Sequence, residues 1–191
     1  MPRVDHSKYL VHWTKGESYE EAFDILRSIV FQGQIIAGDG NIRGGWRCVC
    51  FTESPEYAFH QVEGKYKPFG IQVPKSWLFN LGGRPVIYQA SSEYDLLHES
   101  QKWRHVRYEP DTEPPVDFSW EREWRIRTDF VNLDPEKARI IIPDDSWAEC
   151  LKDEHEYHEH GKVQLMASAY GEEWLAYPID EFEFKFTTIS V

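Results

Sequence analysis

The chain has 191 residues, 41% hydrophobic, 15% aromatic and 28% charged, a composition that excludes a disordered chain and supplies enough apolar side chains for one substantial core. Lysine and arginine number 21 against 33 aspartates and glutamates, and the formal net charge of -12 argues against a broad phosphate-tracking surface while favouring basic partners. No apolar run approaches the roughly 18–20 residues of a membrane helix, and the polar start MPRVDHSK lacks a signal-peptide core, so a cytoplasmic protein without membrane contact is expected.

Tyr9-Leu10-Val11-His12-Trp13 is rich in strand formers, and Thr14-Lys15-Gly16-Glu17 breaks it with turn residues. Ser18, three residues before Glu21, makes a capping-box arrangement; Ala22, Phe23, Leu26, Ile29 and Val30 follow at helical spacing, and Gly33 supplies a stop. After a glycine-rich loop, Trp46 to Phe51 reads as a buried strand, and Ser54-Pro55 is placed to open a short helix holding Tyr57. Phe69–Val73 and Pro85–Tyr88 predict further strands, parted by the turn Gly82-Gly83, and a helix is expected within residues 93–107. The segment from Glu109 to Pro115 carries three prolines and is expected as an exposed loop. Glu123 to Arg127 and Ala138 to Ile142 read as strands, and Glu181 to Phe186 shows the cleanest period-two alternation of the chain. Strands outnumber helices in irregular order, which predicts a single α+β domain over residues 1–191 with largely antiparallel sheet.

Cys48, Cys50 and Cys150 form an odd, sparse set that supports neither a disulfide framework nor a zinc site. His155, His158 and His160 lie at spacings that could hold a transition metal, but in so acidic a segment they read more simply as incidental histidines on a solvated stretch, and no metal is assigned. The phosphate-binding GxxxxGK[ST] and dinucleotide-binding GxGxxG patterns do not occur, nor does a GxSxG elbow. Each cysteine of the Cys48–Cys50 pair is most simply a small core hydrophobe.

Three segments gain meaning together: His12-Trp13-Thr14 at a strand end, Cys48 to Tyr57, and Glu121-Arg122-Glu123 at the head of a late strand. In this order they resemble the His-Tyr-Glu branch of the ADP-ribosyltransferase superfamily. The resemblance implies two small, mostly antiparallel sheets with flanking helices and NAD as co-substrate in the cleft between them. It implies His12 and Thr14 on the NAD ribose, Ser54 and Tyr57 on nicotinamide, and Glu123 as the catalytic carboxylate, with Glu121 completing the two-carboxylate spacing of arginine-directed members. Residues two apart in a strand face one side, so both acids are expected in one cleft. Trp13 replaces a common glycine of the family, and the central-strand tyrosine falls on Cys50. Arg43 and Arg47 are placed to meet the pyrophosphate, a role that suits guanidinium.

CVCFTESP, His60, KPFGIQVPKSW, GGRPVIY and EREWRI also look like blocks of AbiGi-type abortive-infection proteins, a likeness spanning about residues 8–130 that implies a phage-defence or toxin–antitoxin setting. The leading expectation is an ADP-ribosyltransferase effector or toxin that acts on a macromolecular acceptor, protein or nucleic acid, with a possible cognate antitoxin. The alternatives are a non-enzymatic antitoxin or interaction module and, more remotely, a metal-dependent nuclease.

Overall fold

A computed structural model describes residues 6–38, 40, 42–53 and 66–189. Its strands run in chain order as β1 (Tyr9–Trp13), β2 (Gln34–Ile36), β3 (Cys48–Thr52), β4 (Gly70–Pro74), β5 (Arg84–Pro85), β6 (Ile87–Gln89), β7 (His105–Arg107), β8 (Glu123–Arg127), β9 (Phe130–Asn132), β10 (Arg139–Ile142) and β11 (Lys185–Thr188). The α-helices are α1 (Tyr19–Gln32), α2 (Lys75–Asn80) and α3 (Asp145–Tyr170). Among the described residues the strands form a seven-stranded sheet ordered β11-β10-β4-β1-β3-β8-β5 and two-stranded sheets β2-β9 and β6-β7. The pairings are antiparallel except β10 with β11 and β6 with β7. The domain is α+β, but a single large sheet takes the place of the expected two small ones.

Local chemistry explains α1. The Ser18 hydroxyl accepts from the Glu21 amide at 3.1 Å, Glu21 reaches back to the Glu17 amide at 2.9 Å, and Gly33 closes the helix at φ 64°, where a β-carbon would be strained. Its apolar stripe buries Ala22, Phe23, Leu26, Ile29 and Val30. Full burial of a side chain such as Leu26 is worth about 1.5–3 kcal/mol, so the stripe fixes the helix on the sheet.

Register decides which residues share a face. Val11 lies opposite Thr52, and Thr52 opposite Glu123, so these three share one face of β1, β3 and β8. Alternation puts Trp13, Cys50 and Arg125 on that face as well, and Leu10, His12, Phe51 and Trp124 on the other. The His12 face carries the main core, where Leu10, Phe51, Ile71 and Ile140 meet α1 and the first turns of α3. Trp147 anchors α3 there, with its ring 4.6 Å from Phe23 and 5.0 Å from Phe69 between centroids. The opposite face carries two smaller clusters, Val11, Trp13, Tyr66, Ile141 and Ile189 in one and Ile42, Cys48 and Trp103 in the other.

Several expectations are corrected. The helix expected in 93–107 is two 3-10 segments, Ser91–Leu96 and Glu99–Arg104, followed by β7. The acidic histidine segment is the middle of the 26-residue α3. Residues 181–184 pair with no strand: the alternation there reports burial, because Phe182, Phe184 and Phe186 pack on the core, whereas ladder bonds start only at Lys185. The helix expected after Ser54 lies outside the described residues.

Candidate functional site

The sheet order places the three motif-bearing strands side by side, β1 beside β3 beside β8. Where β3 ends and β8 begins, a cleft of about 320 Å³ is lined by Glu53, Tyr88, Arg122, Glu123 and Trp124, among others. Glu53 follows the last residue of β3 and is buried; one carboxylate oxygen pairs with the Lys75 ammonium and the other accepts the Trp124 indole N–H at 2.9 Å. The cleft therefore holds two carboxylates from neighbouring strands.

Glu123 opens β8. Its carboxylate accepts from Arg125 Nε at 2.8 Å and Nη2 at 3.2 Å, and its amide donates to the Tyr88 hydroxyl at 3.0 Å. Arg125 is buried and also donates to the carbonyls of Trp103 and His105, at 3.1 and 2.9 Å. Two residues apart on β8, both side chains share a face, so the ion pair aims the carboxylate.

Glu121 reaches the same region by another route than strand alternation. It ends a short 3-10 turn, Ser119–Glu121, and Arg122 then adopts φ 45°, a left-handed conformation uncommon outside glycine. The strand starts only at Glu123, so the simple two-residue rule does not place Glu121. Glu121 is nonetheless buried, and its charge acts with that of Glu123 on Tyr66. Burial first, then Glu121, Glu123 and Cys50, push the Tyr66 phenol well above its ordinary value. Tyr88 rises to about 12, again chiefly by burial. The Cys50 thiol is pushed up by burial and the Glu123 charge, and Cys48 by burial to about 11, so neither offers a thiolate at neutral pH.

The remaining expected residues fall elsewhere. His12 does not share a face with Glu123: the register turns it to the core face, where its ring stands edge-on to Phe51 at 5.8 Å. Its Nδ1–H donates to the Cys50 carbonyl at 2.8 Å, which fixes the tautomer, because a carbonyl only accepts. The His12–Glu123 convergence that the motif order implies is therefore not formed. Thr14 is buried, with its hydroxyl donating to the Phe69 carbonyl at 3.1 Å. Arg43 donates to the Ser91 carbonyl at 2.7 Å and lies over the Tyr94 ring, while Arg47 holds the Ala37 carbonyl at 3.2 Å and Asp129 at 3.4 Å. Both guanidiniums are thus engaged in joining segments between the strands. Ser54, Tyr57 and His60 lie outside the described residues.

Sequence reasoning missed Tyr66, Tyr88 and Glu53. Tyr66 stacks on Trp13, 6.4 Å between ring centroids, and feels the charges of Glu121 and Glu123. Arg125 stands at the spacing of an ion pair with Glu123, but alternation in Glu123–Arg127 predicts one buried face and leaves Arg125 on the wet one, whereas the structure covers both.

In α3, His155 meets the Asp180 carbonyl at 2.8 Å, His158 lies edge-on to Phe31, and His160 faces Glu156. Among the described residues no group of three or more His, Cys, Asp or Glu side chains could hold a metal ion, and no helix is long and apolar enough to cross a membrane. No protein-family model matches the chain, and no curated protein or solved structure gives a significant match.

Proposed function

We infer that the chain is an ADP-ribosyltransferase-like domain that transfers ADP-ribose from NAD to a macromolecular acceptor, acting as a phage-defence effector or toxin. The adjacency of β1, β3 and β8 carries the reading, because the three strands that bear the resemblance are neighbours in one sheet. The two acids and the aromatics beside them support it further.

In this reading Glu123 is the catalytic carboxylate. As the bond between ribose C1′ and the nicotinamide nitrogen breaks, its electron pair leaves with nicotinamide, and the Glu123 charge stabilises the oxocarbenium-like sugar. The acceptor nucleophile then bonds to C1′ and gives its proton to Glu121. Arg125 keeps the Glu123 carboxylate aimed, and Tyr66 and Tyr88 offer ring faces and hydroxyls beside it. His12 joins β1 to β3 from the other face and is not given a ribose contact.

Purified protein incubated with NAD labelled on the adenine side, in the presence of cell lysate, should release nicotinamide and label an acceptor. Glu123→Gln should cut that rate by at least about a hundredfold, the scale of losing one transition-state charge contact, while a thermal melt shows the variant still folded. If wild-type protein neither binds nor consumes NAD, the transferase reading fails.

A further inference from the structure

The negative charge of the chain is concentrated. Residues 144–183 hold twelve aspartates and glutamates against two lysines, Lys152 and Lys162, so this segment carries ten of the twelve net charges. The structure folds it into α3 and a returning tail, joined where His155 meets the Asp180 carbonyl and packs edge-on against Phe182.

Between the end of α1, the middle of α3 and residues 180–184 lies a groove of about 610 Å³. Val30, Phe31, Phe182 and Phe184 give it an apolar floor. Phe31 stays 38% exposed beside the buried Ile29 and Val30 in the last turn of α1. The alternation of the tail turns Phe182 and Phe184 inward and leaves Glu181 and Glu183 exposed on the rim. Among the described residues neither rim glutamate has an ion-pair partner, whereas Glu159 is neutralised by Lys162.

An apolar floor edged along the tail by carboxylates without ion-pair partners, facing a wall where Lys162 is taken up by Glu159, selects for a chain that brings lysine or arginine beside an apolar anchor. The same field repels nucleic acid and anionic lipid. We propose that this groove docks a basic, apolar-anchored segment of a partner protein. The site is separate from the carboxylates of β8 and does not depend on the NAD reading.

The test uses fluorescence anisotropy with a fluorescein-labelled peptide of arginine and leucine in a glycine–serine background, titrated with the full chain at low and physiological salt. Glu181→Gln with Glu183→Gln should weaken binding about tenfold, and the control pair Glu93→Gln with Glu113→Gln, exposed acids outside the segment, should leave it within about twofold. Replacing the leucines of the peptide by serine should also weaken binding about tenfold. The proposal is overturned if the wild type does not bind the peptide, if the two glutamine pairs weaken it equally, or if the leucine-free peptide binds as well. The last two outcomes would mean diffuse attraction to net charge.

Discussion

Arg125 grips Glu123 through two N–H groups, Nε at 2.8 Å and Nη2 at 3.2 Å, and turns its Nη1 to the carbonyls of Trp103 and His105. One buried side chain thus holds the head of β8 and pins the 3-10 segment Glu99–Arg104 and β7 over the sheet. Arg125→Ala would leave a nearly buried carboxylate and two carbonyls without their donor. The expected loss is about 3–5 kcal/mol in urea denaturation. Arg125→Lys, which keeps the charge but not the planar fork, should lose less. A loss below about 1 kcal/mol for the alanine variant would show that the pair is not structural.

Trp124 and Glu53 offer a gentler probe of the same cleft from the core face. Trp124→Phe removes the indole N–H and leaves one Glu53 oxygen without its donor, while Lys75 still holds the other. The hydrogen bond should account for about 1–3 kcal/mol, read as a fall in urea midpoint with unchanged slope, beyond the smaller cost of lost ring area.

Acid should weaken the fold through two imidazoles. Burial holds His12 and His105 below the ordinary 6.5, against backbone carbonyl bonds at Cys50 and Ala90 that pull the other way. As pH falls through 6.5 towards the lowered values, the unfolded chain takes up protons that the folded chain refuses. Their contribution is therefore fully present above 6.5 and lost below it. Urea denaturation at a series of pH values should show a slope in that window that His12→Gln reduces, and an unchanged slope would contradict the burial of His12.

Gly161 sits inside α3, and a β-carbon added there meets nothing within 4 Å. Gly161→Ala should stabilise the protein by about 0.5–1 kcal/mol if the outer half of α3 folds with the rest of the domain. A helical gain seen by circular dichroism without any change in unfolding midpoint would instead mark the outer half as an independent unit.

Legibility tracked the range of the interactions. The α1 helix could be read from Ser18, Glu21 and Gly33 because capping and stop signals act within a turn of chain. Strands β1, β8 and β10 were legible because their apolar residues are contiguous or alternate. The tail showed the limit: its phenylalanines revealed which side is buried, yet β11 begins only where β10 offers a parallel partner. Residues 91–107 lack the apolar stripe of an amphipathic helix and are held in 3-10 turns by Trp103 and Arg125, contacts distant in sequence.

The candidate site divides in the same way. Order and composition alone establish that Glu121 precedes and Glu123 opens a strand, that His12 lies near the end of another, and that the charge is strongly acidic. Long-range packing turns His12 away from Glu123, brings Arg125 and the tyrosines to the carboxylates, and folds the acidic segment against an apolar groove. Those outcomes depend on strand register, where a shift of one residue exchanges the faces of every side chain, and on which surfaces the later segments cover.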